Sequence, residues 1–429
     1  MIGLVLVALF VVLMIIGIPI AFVIGIVAML GIFNLPYTPA VTIPVKMFNG
    51  LDSFVLIAVP LFILAANLMN SGQISQKLIN FALSIVGHIK GGLAHANILV
   101  SMLFAGVSGA SQADTAGVGK ILIPNMKKQG YDKGNAVGIT AASSTIGVII
   151  PPSIPMIIYA GLTNVSVGAL FMVGIIPGVL VGLGMMTIVY FLARKYNYPT
   201  YQKASLHNFF KQLFDAAPAL MTPVILIGGI ISGIFTATEA AAFASLYTIV
   251  VAMFYYKTLK IKDFPKILFD TLTLSSLSLF ALAAANALGE LMSYYQLSSW
   301  AEQFFANNIP NKWVFLIVII AFFLFVGTFM DAIPAMILFI PVILPVAISF
   351  DISPVLLGIV TIMTLAVGLV TPPYGLCLLL AAKIGQLPIE RSFKAVIPYI
   401  AVVLFVLILT AFVPGVAFYL PEMISPNLF

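Results

Sequence analysis

Two apolar stretches of this chain are each broken by a double proline, GVIIPPS at Gly147 to Ser153 and GLVTPPY at Gly368 to Tyr374. Proline has no amide hydrogen, and its ring blocks the preceding helical turn. Both stretches are hydrophobic enough for a bilayer, so two spans must unwind at depth. Bare carbonyls inside a membrane are tolerated only where protein covers them or a cavity hydrates them, and transporters place ion and solute sites there.

The rest of the composition agrees with a membrane setting. The chain has 429 residues, 62% hydrophobic and 7% charged, whereas a soluble domain carries about a quarter charged residues. Its first thirty residues are apolar but lack a basic leader and a small-residue cleavage site, and read as a retained span. The one cysteine, Cys377, excludes an internal disulfide framework and lies in an apolar run where packing is its expected role. A net charge of +6 arises from lysines in short loops, which suits membrane orientation amid lipid and gives no reason to expect a nucleic-acid partner.

At about 20 residues per crossing, spans are expected at 3–32, 51–70, 134–162, 166–193, 217–256, 266–290, 354–383 and 393–418. The first, and 217–256, are long enough for one tilted helix or two short ones. Segments 93–126 and 312–347 are too long for one helix and too short for two crossings with a turn. Each reads as a re-entrant hairpin, with small and polar residues at its tip: GVSGASQAD from Gly106 and GTFMDAIP from Gly327. Segments 73–90, 194–215 and 293–306 mix aromatic, apolar and charged residues as interfacial amphipathic helices do.

The halves repeat. A shift of 221 residues lays Gly106 on Gly327, Pro124 on Pro345, Gly147 on Gly368, Pro151 and Pro152 on Pro372 and Pro373, and Pro177 on Pro398. LFILAA from Leu61 is echoed by LFALAA from Leu279. These residues dictate backbone shape, so the repeat is one of structure. Lys90, Lys127, Lys128 and Lys133 flank the first hairpin, while the loops beside the second carry only Lys312 and Asp351. By the positive-inside rule the two enter from opposite faces. The expected fold is an all-α polytopic membrane protein of two inverted-topology repeats, residues 1–200 and 217–429, joined by a cytoplasmic linker at 201–216. If the first span and 217–256 are both split helices, the same symmetry places the N-terminus on the periplasmic side.

Each tip offers oxygens to a small hard cation. The first candidate site comprises Ser108, Gly109 and Asp114 with Ser144 and Gly147. The second comprises Gly327, Thr328 and Asp331 with Gly368 and Thr371. Helix capping is the structural alternative for the tip hydroxyls. Asp331 is the most suggestive carboxylate, because an unpaired charge at bilayer depth costs at least about 2.5 kcal/mol. Asp114 and Lys120 can instead pair loosely, and Glu239 and Glu290 can cap at the interface. Between the tips, Ser111, Gln112, Thr145, Ser153, Thr371 and Tyr374 are the candidates for an anionic solute, met by hydroxyls and helix N-termini. Both arginines, Arg194 and Arg391, fall in loops, so no buried guanidinium clamp is expected. There is no P-loop, no metal-ligand spacing among His88, His95 and His207, and no GxSxG elbow. A sodium/carboxylate symporter without a binding protein, or a membrane enzyme, are the rival readings.

SGASQAD at Ser108 to Asp114, the first PPS break, GIFTATEAAA at Gly233 to Ala242 and GLVTPPYG resemble the large membrane subunit of tripartite ATP-independent periplasmic (TRAP) transporters across nearly the whole chain. The family's commoner tip reads SGSAxAD, with a small residue where this chain has Gln112. The resemblance implies an elevator fold of the ion-transporter superfamily in a bacterial inner membrane. It also implies uptake driven by two or more transported sodium ions, a small membrane (Q) subunit, and a periplasmic binding (P) protein that delivers the solute. Within the family the resemblance points to the sialic-acid-transporting members as the first expectation for the solute.

Overall fold

A computed structural model of the chain describes residues 2–35, 38–71 and 74–424, and every regular element among them is helical. The first half runs through α1 (Ile2–Ile15), α2 (Ile20–Phe33), α3 (Thr42–Leu51), α4 (Ala58–Ser71), α5 (Ile74–Val86), α6 (Gly92–Ser108), α7 (Ser111–Lys128), α8 (Lys133–Ser144), α9 (Ile154–Thr163) and α10 (Val167–Lys195). The second comprises α11 (Leu206–Ile231), α12 (Ala237–Val250), α13 (Phe264–Tyr294), α14 (Leu297–Asn308), α15 (Lys312–Gly327), α16 (Ala332–Ser349), α17 (Pro354–Gly368), α18 (Leu376–Gly385), α19 (Ile389–Phe412) and α20 (Gly415–Ile424). Six described helices are individually long and apolar enough to cross a membrane, and the pair α3–α4, bent by 66°, makes a seventh candidate.

The breaks follow the residues that forbid helix. The first span divides into α1 and α2, because Gly17 takes φ +87° and Pro19 closes the turn. The 217–256 segment also divides, at the turn between α11 and α12. There Thr236 and Glu239 form a capping box, so Glu239 is the cap expected of it. Glu290 is different: its carboxylate pairs with Lys46 at 2.7 Å. In the linker, α11 runs unbroken from Leu206 to Ile231, capped by Ser205, and carries helix straight through residue 216. The amphipathic segments appear as α5 and α14, with Gln73 of the 73–90 segment outside the described residues.

Two bodies result. One is a wall in which α2, α3 and α4 pack on α13, and α12 packs on α4 and α11. Polar bonds tie it: Asn67 Nδ2 donates to Thr271 Oγ1 at 3.0 Å, and Ser245 Oγ donates to the Leu61 carbonyl at 2.9 Å. The other holds both hairpins, both broken helices, α10 and α19. Its centre is closely packed, with Val355 through Gly368 of α17 all buried. The halves cross within it: α9 packs on α16 and α17, while α18 packs on α7 and α8. Tyr159 Oη donates to the Pro354 carbonyl at 2.7 Å, and Lys127 Nζ to the Gly385 carbonyl at 3.2 Å.

Candidate functional site

Both hairpins turn at the expected tips, and each tip docks on the break of its own half. In the first, Gly109 takes φ +60°, and its carbonyl accepts the Ile154 amide at 3.2 Å. A Cβ on Gly109 would stand 2.7 Å from the Pro152 carbonyl oxygen, so only glycine permits this approach. In the second, the Thr328 carbonyl accepts the Tyr374 amide at 2.9 Å. There Gly327 and Gly368 meet backbone to backbone, and a Cβ on Gly368 would stand 2.4 Å from the Gly327 oxygen. In place of α-helix the first break has a 3-10 turn at Thr145–Val148, and the Pro151–Pro152 and Pro372–Pro373 peptide bonds are cis.

Behind the first tip lies a buried polar cluster on α6, α7 and α8. Thr115 Oγ1 donates to Ser144 Oγ at 2.7 Å, Ser101 Oγ to Ser143 Oγ at 2.9 Å, and Asn97 Nδ2 to Thr140 Oγ1 at 2.6 Å. Asp114, 1% exposed, has Ser101 as a side-chain hydrogen-bond partner. Its Oδ1, like the buried Ser111 hydroxyl, has no partner among the described residues. Ser111 therefore does not cap α7. Gly147 stands against the Ser111 backbone, where an added Cβ would lie 3.4 Å from Ser111 Cα. Ser108, Gly109, Ser111, Asp114, Ser144 and Gly147 thus come together. Asp114 and Lys120 form no ion pair: the former is buried, and the latter faces outward into a cavity. Cys377, buried at the start of α18, packs against the Thr115 and Ser144 hydroxyls rather than in a purely apolar setting.

In the second half, Gly327, Thr328, Gly368 and Tyr374 converge. Thr361 is fully buried on α17 with its hydroxyl unpartnered, whereas Thr328 and Thr371 turn theirs to the Phe325 and Val367 carbonyls at 2.7 and 2.8 Å. Asp331 stands half-buried at the N-cap position of α16, and its carboxylate does not cap the helix.

A cavity of about 1060 Å³ lies between the two tips and the wall. Ser108, Gly109 and Gln112 line it from the first tip and Asp331 from the second. Of the six residues expected to meet a solute, only Gln112 lines it. Ser111 and Thr145 are fully buried behind the tip, the Thr145 hydroxyl donating to the Ala142 carbonyl at 2.7 Å. Ser153 caps α9, accepting from the Met156 amide at 3.4 Å and donating to the Val148 carbonyl at 2.7 Å. Thr371 lies outside this cavity, and Tyr374 lines a second one of about 470 Å³ beside the α1–α2 break. Asp331 stands between the two cavities and lines both. Sequence reasoning passed over the opposite wall, Asn67 and Asn70 of α4 with Asp270 and Ser278 of α13. Isolated polar residues in long apolar helices were the signal.

The chain matches the family model "Tripartite ATP-independent periplasmic transporter, DctM component" over residues 7–416. It is 39% identical to the sialic acid TRAP transporter large permease protein SiaM of Vibrio cholerae, over 88% of each chain. It is 34% identical to the C4-dicarboxylate TRAP transporter large permease protein DctM of Rhodobacter capsulatus over 99% of each. Identity is also 34% to the isethionate TRAP transporter permease protein DctMQ of Oleidesulfovibrio alaskensis, over 95% of this chain and 64% of that one. The solved YdaH transporter of Alcanivorax borkumensis shares the fold, with a TM-score of 0.62 at 17% identity over 88% of each chain. Docked tips, crossed halves and a match along almost its entire length establish the chain as a large permease of the DctM family of tripartite ATP-independent periplasmic transporters.

Proposed function

We propose that this permease drives sodium-coupled uptake of a small carboxylated solute, sialic acid being the first candidate, across the bacterial inner membrane. It would work with a small membrane subunit and receive solute from a periplasmic binding protein. The observation that carries this reading is the joint one: two tips, each docked on a proline break, face a single cavity of about 1060 Å³. Sodium requires several oxygen ligands, and the unpartnered oxygens of Ser111 and Asp114 behind the first tip, and of Thr361 on α17, suit that need. Buried polar atoms without partners are costly, which favours a bound cation as their missing partner.

The body that holds the tips meets the α4–α13 wall across the cavity, which supports an elevator in which that body slides and the wall stays. Relatives are named for sialic acid, C4-dicarboxylates and isethionate, all of them anions. The DctMQ name also points to a Q partner. The test is uptake into proteoliposomes by the purified complex, with and without a sodium gradient and with and without the binding protein. Ser108→Ala and Asp331→Ala are expected to lose sodium-dependent uptake. Full sodium-dependent uptake by both variants would sink the cation assignment, and uptake indifferent to the binding protein would favour a simple symporter.

A further inference from the structure

We propose that Lys120 selects the anionic group of the solute, holding its carboxylate or sulfonate in the cavity at a fixed distance from the first tip. This rests on the reading of the cavity as a solute site. Three charged residues line it, Lys120, Asp270 and Asp331, so Lys120 is its one basic group among the described residues. Without that ammonium, the charged side chains lining the cavity would be two carboxylates that repel an entering anion.

Lys120 is also uncommitted. Three other lysines are committed: Lys46 pairs with Glu290 at 2.7 Å, Lys77 with Asp215 at 3.4 Å, and Lys127 donates to the Gly385 carbonyl. Lys120 is exposed to the cavity and has no ion-pair or hydrogen-bond partner among the described residues.

Its position on α7 sets a length. Gln112, Ala116 and Lys120 recur every four residues, on the face of α7 that lines the cavity. Gln112 at the tip and Lys120 eight residues on are about 12 Å apart at 1.5 Å per residue. Between them Ala113, Ala116 and Gly117 leave a floor without bulk. Across from it the Asn70 carboxamide oxygen is buried and unpartnered, close enough that a Cβ on Gly117 would stand 2.6 Å from it. The arrangement suits an extended monoanion, with its charge at Lys120 and hydroxyl or amide groups toward Asn70 and Gln112.

The experiment titrates sialic acid, succinate and isethionate, each in turn, onto the detergent-solubilised complex of this chain with its small subunit, in sodium. Thermal stabilisation reads binding without the binding protein's own affinity. The uncharged amide of whichever acid binds serves as the second ligand. Lys120→Gln is expected to weaken the acid by about 10- to 100-fold, the range for loss of a hydrogen bond to a charged group. It should leave the amide and the stabilisation by sodium alone unchanged, and Lys120→Arg should stay within a few-fold of wild type. Unchanged acid binding in Lys120→Gln overturns the proposal. So does a variant that loses acid and amide alike, because that marks a structural residue. If wild type is stabilised by sodium but by none of the three anions, the anionic reading of the solute fails and this inference with it.

Discussion

Gly368→Ala places one methyl group at the contact between the second tip and its break. The added Cβ would lie 2.4 Å from the Gly327 oxygen and 2.8 Å from its Cα, about 1 Å short of the 3.4 Å at which ordinary contact begins. Both sides are backbone, so no side chain can rotate away, and the tip must lift. Overpacking of this kind costs about 1–3 kcal/mol, a factor of roughly 5 to 150 in the docking equilibrium constant. A cation that binds only the docked tip then shows an apparent affinity reduced by the docked fraction. Sodium-dependent uptake in proteoliposomes, read as half-saturating sodium, is expected to shift upward, by at most that factor. Two companions grade the effect. Gly327→Ala meets its nearest atom, Gly368 Cα, at 3.3 Å and should be mild, and Gly289→Ala on α13 meets nothing within 4 Å and should be silent. Wild-type sodium activation in Gly368→Ala, or a reversed order of the three, would refute the idea that tip docking builds the site.

Ser153→Ala removes the cap of α9 and is expected to lower stability by about 1–2 kcal/mol while leaving solute affinity unchanged, as measured by thermal unfolding and solute titration. Thr115→Val deletes bonds to Ser144 Oγ and the Ser111 carbonyl; a loss of about 1–3 kcal/mol should appear as a lower melting temperature and weaker sodium activation. Glu290→Gln breaks the ion pair with Lys46, whose side chains are 40% and 35% exposed. Solvent screening limits its effect to about 1 kcal/mol or less, and uptake should be normal. Asn70→Cys with Gly117→Cys, in a Cys377→Ala background, bridges the wall to the first hairpin. Because both positions border the solute site, the reference is the reduced variant's own uptake: oxidation is expected to stop what uptake it retains and reductant to restore that level, and uptake unaffected by a formed disulfide would argue against sliding.

The tips and breaks were legible because glycine and proline act on backbone locally. Gly109 takes a left-handed φ, and the prolines at 151, 152, 372 and 373 interrupt helix, whatever lies beside them. The cavity's far side was not legible, because its meaning depends on pairing across the chain. Asn67 acquires its role from Thr271, 204 residues away. Lys120 was visible in sequence but read against Asp114, and α7 sends those two to different environments, one buried and one open. Ser111, Thr145 and Ser153 have the chemistry of solute ligands, yet helix geometry turns them away from the cavity into the protein.

The crossing of α9 onto α16 and α17, and of α18 onto α7 and α8, bears on how the chain is made. When the ribosome has finished α8, Thr115 and Ser144 face a groove whose filling segment, with Cys377 at its head, is still more than 200 residues from synthesis. Contacts that far apart in sequence form slowly, because the intervening chain must be ordered before they reward it. The first half must therefore wait in the membrane with a polar seam open, while α9 waits for α16. Completion of α18 closes both, so the two halves mature together rather than in sequence.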